Sequence, residues 1–449
     1  MIFTIDKQTL NDLELREKSK DEKSVFSFFN YTKTSGGKNK LELFFNNPLT
    51  DIDFLEQRIQ VLKYFQSSGL QYRFEKECFD FIEYYYKQQN IPARFSSSKS
   101  IFKAISNLFG PRNEYYIIQR GIMNLIKALN DFYSSVISIN PENTPLYISN
   151  CRAKIFEIFN NTPLKIVIAL KDRRTLNPLE LGKLDFYFRK SNLGHIQDVL
   201  EMIYEFDAFI SIVNATTKSG FSFPEYSREE NKYHAEALFH PFIDNPVKNN
   251  FEFTPQTNIC FLTGPNMAGK STFLKSLSIS IYLSHLGFPV PAIKLKTSIF
   301  NGLLTSINLP DNINRGYSHF YCEVLRVKYV AEKINQAGNL FIVFDEIFRG
   351  TNVKDACEAS LAVLSSFSKL NNSLFAVSTH IIEVAEELKK NTSIFFKYFE
   401  ANIIDGIPHY TFTINNGITD ERIGMYILAK EKVIETIEKR INTAGPDNA

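Results

Sequence analysis

Gly264-Pro265-Asn266-Met267-Ala268-Gly269-Lys270-Ser271 has the form G-x-x-x-x-G-K-[ST], and Thr272 follows it. Its glycines let backbone N–H groups converge on phosphate oxygens. The Lys270 ammonium would reach β- and γ-phosphates, and the Ser271 hydroxyl would ligate Mg²⁺. The apolar run 259–262 ahead of the loop reads as a buried parallel strand. Phe273, Leu274 and Leu277 behind it read as a helix. Strand, glycine loop, helix is the context this chemistry needs, because the helix N-terminus adds partial positive charge.

A second apolar strand, 339–344, runs into Asp345-Glu346. Asp345 would hold Mg²⁺, directly or through water. Glu346 is placed to polarise an attacking water, and a second carboxylate there suits hydrolysis rather than mere nucleotide holding. A third strand, 373–377, ends in Ser378-Thr379-His380. A histidine at that tip could hydrogen-bond a γ-phosphate, or it could be structural. The sequence therefore predicts an Mg²⁺-dependent ATPase with Glu346, His380 and Lys270 catalytic. Residues 264–272 bind ATP, and Ser271 and Asp345 bind the metal.

The elements that must position these residues change character near residue 230. Before it, helical patterns dominate. Leu55, Ile59, Leu62 and Phe65 share one helix face, with Asp53 and Glu56 as a capping box. A second helix carries Phe74, Cys78 and Phe81, and residues 90–100 read as a loop. A later helix opens near Ser191 and carries Ile196, Val199, Ile203, Phe206 and Ile210. After residue 230, short apolar runs alternate with helices. The polar stretch 216–230, broken by Gly220 and Pro224, reads as a linker. The expected organisation is a helical domain over 1–230 and an α/β P-loop domain over 231–449.

Composition adds limits. The chain has 449 residues, 44% of them apolar, which excludes global disorder. Its 51 basic and 49 acidic residues give a net charge of +2, so contact with a polyanion needs a local patch. Two basic clusters could touch phosphates or be solvated helix faces: Lys99, Lys103, Arg112, Arg120 and Lys127, and Lys171, Arg173, Arg174, Arg189 and Lys190. Five widely spaced cysteines indicate neither a disulfide framework nor a zinc site. The N-terminus lacks an apolar signal core, and no run of roughly 18 apolar residues could form a membrane helix. The expectation is a cytoplasmic protein with no membrane partner.

TGPNMAGKST, DEIFRGTN and STH, taken together, resemble the MutS family of ABC-type ATPases. Asp311 to Phe320, with Glu323 after, looks like that family's version of the ABC signature. The resemblance implies that Ser318 contacts the γ-phosphate held by the other subunit of a homodimer, a role compatible with an ordinary helix N-cap. It puts Val247 near the adenine and Phe412 near the base, although Phe412 could equally be a core residue. Arg349-Gly350-Thr351-Asn352 would form a loop in the dimer interface. Thr34-Ser35-Gly36-Gly37-Lys38, Asn47-Pro48-Leu49 and Arg58 look like the start of the family's helical core, and Asn416-Gly417 and Ile423-Gly424-Met425 like its last ATPase motif.

The departures are informative. A full mismatch-repair member carries recognition and connector domains before its helical core. Here the core-like motif starts near residue 30, so the resemblance implies a short form without either, and with a reduced C-terminal dimerisation element. Phe54-Leu55-Glu56 and Phe81-Ile82-Glu83 match the Phe-x-Glu letters of the mismatch wedge, but both fall in predicted helices, where phenylalanine belongs to the core. The resemblance implies a DNA-binding switch, acting on distorted or branched double-stranded DNA in repair or recombination. The alternative is a nucleotide-gated interaction protein whose partner is a protein, structured RNA or ribosome. An inactive ATP-binding remnant is disfavoured by the intact Lys270, Ser271, Asp345, Glu346 and His380.

Overall fold

The computed structural model describes residues 2–17, 23–68, 72–88, 112–217, 220–307, 318–404, 407–419, 428 and 431–443. The loop expected at 90–100, Lys99, Lys103, most of the signature-like segment and Ile423-Gly424-Met425 lie outside them. The chain divides into two compact units. One takes residues 28–47 and 56–218; the other takes 1–27, 48–55 and 219–449.

The first unit is helical. Helix Leu193–Thr216 buries Ile196, Val199, Ile203 and Phe206, with Ile210 half-buried at the margin. Phe65 meets Phe206 edge-on at 5.0 Å. Thr34 caps helix Ser35–Asn46 by accepting from Gly37 N at 2.8 Å. Buried Asp207 in turn accepts from Thr34 N and Thr34 Oγ1, each at 2.8 Å. A Cβ on Gly36 would lie 2.5 Å from the Tyr204 ring. The glycine pair therefore permits a helix contact too close for a side chain.

Two local expectations need correction. Helix Ile52–Ser68 is capped by Asp51, whose Oδ1 accepts from Asp53 N at 2.9 Å and Phe54 N at 3.3 Å, so the cap lies two residues before the expected Asp53. Leu55, Ile59, Leu62 and Phe65 are all buried as expected, but Phe54 is 62% exposed and is not core. One residue is about 100° of helix rotation, so an inward Leu55 turns Phe54 away. Likewise helix Lys76–Tyr86 buries Cys78, Phe79, Ile82 and Tyr85. Phe74 precedes it and Phe81 lies half-buried on its flank.

The basic clusters are thinner than their letters suggest. Arg189 turns inward and pairs with Asp185 at 2.6 Å, and Arg173 pairs with Glu180 at 2.8 Å. Lys127 pairs with Glu75 at 2.5 Å.

The second unit holds two sheets. Its strands are β1 Glu225–Ser227, β2 Tyr233–Leu238, β3 Asn249–Phe253, β4 Ile259–Thr263, β5 Lys294–Ser298, β6 Gly302–Ser306, β7 Leu340–Phe344, β8 Leu374–Ser378, β9 Ile394–Ile404 and β10 Ile407–Asn416. The four-stranded sheet has the order β1-β5-β2-β3, and the six-stranded sheet β10-β9-β4-β8-β7-β6. From β9 to β6 all neighbours are parallel; β10 returns antiparallel. Each residue of β4, β6, β7 and β8 is buried, as a parallel sheet covered on both faces requires. Part of the expected linker is strand: Glu225, Tyr226 and Ser227 pair with β5, a partner that local polarity does not reveal.

Residues near the N-terminus also belong to this unit. Thr4 bridges Gly302, Thr305 N donates to Thr9 Oγ1 at 2.9 Å, and Ile307 N donates to Asp12 Oδ2 at 2.9 Å. They cover β6, which would otherwise be an open sheet edge. Among the described residues, no helix is long and apolar enough to cross a membrane.

Candidate functional site

The strand order brings three separate segments to one end of the sheet. β4, β8 and β7 are adjacent and parallel, so their C-terminal tips lie side by side. The tip of β4 leads into the glycine loop, that of β7 into Asp345-Glu346, and that of β8 into Thr379-His380. Ligands of parallel α/β sheets gather at this end.

The loop is tight and polar. Gly264 has φ 141°, Met267 69° and Gly269 102°, and Gly269 starts helix Lys270–Ser284. A Cβ at Gly264 would lie 3.0 Å from Phe399 O, and one at Gly269 would lie 3.3 Å from Phe412 Cδ1. Both positions thus need glycine for conformation and for room. The Lys270 side chain folds back into its own loop, donating to Gly264 O at 2.8 Å and Pro265 O at 3.0 Å. Burial pushes its pKa down, against the pull of Glu346 and Asp345. Ser271, in the first helical turn, is exposed.

The carboxylates are held from behind. Ser378 Oγ donates to Asp345 Oδ1 and accepts from Glu346 N at 3.0 Å. His380 Nε2 donates to Glu346 Oε1 at 2.6 Å, and Arg349 lies 3.5 Å from Glu346 Oε2. The hydrogen bond from His380 holds the Glu346 pKa down to about 2, with its charge, Arg349 and Lys270 adding to the effect against burial. Ser318 caps helix His319–Ala337, accepting from Tyr321 N at 3.2 Å.

A cavity of about 440 Å³ opens beside the loop. Lys270, Ser271, Thr272 and Glu346 line it, as do Val247 and Phe412, the two residues that the resemblance sets near the base. Burial pushes His240, also in the lining, down to about 4, so it is neutral at pH 7. Phe412 has φ 55° at an irregularity in the β9–β10 pairing. Asn249 staples that bulge: its Nδ2 donates to Phe412 O at 3.0 Å, and its Oδ1 accepts from Ile414 N at 2.8 Å.

Comparison with known proteins gives the family. The family model for MutS domain III matches residues 8–308, more than half of the chain, and that for MutS domain V matches residues 260–444. The chain belongs to the MutS family. Its relatives include the DNA mismatch repair protein MutS of Leuconostoc citreum (strain KM20), 27% identical over 59% of this chain and 31% of the relative. Another, from Leptospira interrogans, is 30% identical over 54% of this chain and 29% of the relative. MutS protein homolog 4 of Mus musculus is 26% identical over 51% and 24%. The chain thus spans less than a third of the length of these curated relatives.

Within this MutS-family site, sequence reading had not singled out Asn249, Ser378 or Glu323 for what they touch. Each acts through a partner on another segment. Ser378 and Glu323 carry a local signal, the first just ahead of Thr379-His380 and the second just after the signature-like segment.

Proposed function

We propose that this chain is an ATPase of the MutS type, with the unit of residues 1–27, 48–55 and 219–449 as its catalytic module and that of 28–47 and 56–218 supplying the helical part. The observation that carries this reading is the convergence of Lys270, Asp345, Glu346 and His380 at three adjacent strand tips beside the cavity. The site's chemistry fits a magnesium nucleotide. A glycine loop in left-handed conformation with little room for Cβ atoms, an ammonium and a helix N-terminus suit a polyphosphate. A hydroxyl and a carboxylate are the hard oxygen donors that Mg²⁺ prefers.

In this reading Gly264 to Thr272 surround the phosphates, and Lys270 exchanges its loop carbonyls for phosphate oxygens. Ser271 and Asp345 hold Mg²⁺. The metal, when bound, neutralises charge on the phosphates during transfer to water. Glu346 orients the attacking water by accepting its hydrogen bond, and His380 and Arg349 fix the carboxylate. Held by His380 and Arg349, Glu346 presents an ionised carboxylate to that water. Val247 and Phe412 flank the base. Ser318 reaches the γ-phosphate of a second copy, so that two sites share a homodimer interface.

Relatives named for DNA mismatch repair support DNA as the partner. The helical part would grip distorted or branched duplex, and hydrolysis would reset the grip. The test is steady-state ATP hydrolysis without nucleic acid, then with homoduplex, mismatched duplex, four-way junction, single strand and structured RNA. Stimulation by one DNA form supports the reading and identifies the substrate. Hydrolysis indifferent to every DNA overturns DNA as the partner.

A further inference from the structure

We propose that Glu323 is a positioning residue for hydrolysis, acting through the backbone of residues 349–350 to hold Arg349 against Glu346. The inference rests on the reading of Glu346 given above. Glu323 lies in the second turn of helix His319–Ala337 and is only 6% exposed. A carboxylate taken out of water is costly unless its oxygens are satisfied. Here Oε1 accepts from Arg349 N at 3.3 Å and Oε2 accepts from Gly350 N at 3.2 Å. His319 Nδ1 sits 3.3 Å from Oε1. Both oxygens are therefore spent on the segment that follows Glu346.

That segment is constrained. Glu346 and Phe348 have φ of 57° and 58°, a left-handed conformation that costs non-glycine residues free energy and persists only when the surroundings enforce it. A Cβ at Gly350 would lie 2.6 Å from Phe320 N and 2.8 Å from His319 Nδ1, so the segment abuts the first turn of the helix without a gap. The Phe320 and Phe348 rings pack at 5.7 Å. Out of this held backbone the Arg349 side chain reaches back to Glu346. Glu323 thus connects the helix that Ser318 caps to the carboxylate that orients water. A purely structural staple would need no such return contact.

The experiment compares Glu323→Gln, Arg349→Ala, the double variant and Glu346→Gln in the full chain. It reads melting temperature, Kd for a fluorescent ATP analogue, and kcat. Glutamine keeps the volume and one acceptor. We expect Glu323→Gln to lower kcat roughly tenfold, the scale of a slightly misplaced catalytic group, with Kd within about twofold. Arg349→Ala, at an exposed side chain that folding does not need, should give a similar loss. The double variant should fall no further than the worse single one, as for two residues on one path. Unchanged kcat in either single variant overturns the proposal, as do losses that multiply in the double variant. If Glu323→Gln fails to fold, Arg349→Ala still decides: normal turnover in it overturns the proposal. Full turnover in Glu346→Gln overturns the reading of Glu346 and this inference together. Low turnover there with normal turnover in Glu323→Gln overturns the inference alone.

Discussion

His380 Nε2 lies 2.6 Å from the Glu346 carboxylate, although the two residues sit at the tips of different strands. This pairing orients the carboxylate. Glu346→Gln should retain ATP binding and lose turnover by roughly 10²-fold or more, as for loss of a group acting on the reacting proton. His380→Ala should leave nucleotide Kd unchanged and lower kcat by a smaller factor, about tenfold, because Arg349 still holds Glu346. Single-turnover hydrolysis separates the two effects. A larger loss in His380→Ala than in Glu346→Gln would reassign the leading role to the histidine.

Lys270 is 5% exposed and bonded to two loop carbonyls, so its ammonium is already placed within the loop. Lys270→Ala should weaken ATP binding about 10- to 100-fold, the worth of a charge-assisted hydrogen bond. Ser318→Ala should bind ATP normally and hydrolyse it poorly. Mixing the two variants should restore part of one site if Ser318 acts on the partner copy. No recovery in a confirmed mixed dimer would count against a shared site.

Asn249 stands outside the glycine loop yet holds the bulge that carries Phe412. Asn249→Ala should raise the KM for ATP several-fold while kcat holds, since it loosens the proposed contact of Phe412 with the base and leaves the carboxylates alone. Affinity for inorganic triphosphate, which has no base, should not change. A parallel loss for triphosphate would show that Asn249 supports the whole site instead.

His285 supplies a pH dependence of stability. It is fully buried, its Nδ1–H donates to Leu49 O at 2.7 Å, and its Nε2 accepts from Phe300 N at 3.2 Å. Those partners select the neutral ring, and burial pushes its pKa down to about 4 from 6.5. Between these values the unfolded chain binds a proton that the folded chain refuses. Stability from this group is therefore complete above pH 6.5 and declines as pH falls toward 4, by on the order of 3 kcal/mol. His285→Gln should flatten that part of the melting-temperature profile. An unchanged acid slope would assign it to other groups.

The glycine loop and the apolar strands that lead to Asp345 and His380 are legible in the letters because each depends on neighbours in the chain. Glycine placement, a lysine at a helix start and runs of buried residues are local properties. The stripe Leu55, Ile59, Leu62 and Phe65 is legible for the same reason: one helix period relates its members. The cap falls at Asp51, two residues before the expected Asp53, because either aspartate can cap a helix and local sequence does not choose between them. Phe54 faces outward because helix phase, not residue type, decides which side faces inward. The strand order β4-β8-β7 alone puts His380 on Glu346 and the Ser378 hydroxyl on Asp345. Asn249 meets Phe412 and Glu323 meets Gly350 only once distant segments have packed. Local sequence thus determined which groups the site contains, through short-range geometry and burial. Which of those groups touch was decided by long-range sheet order and helix packing, because no periodicity along the chain encodes a contact between segments that only folding brings together.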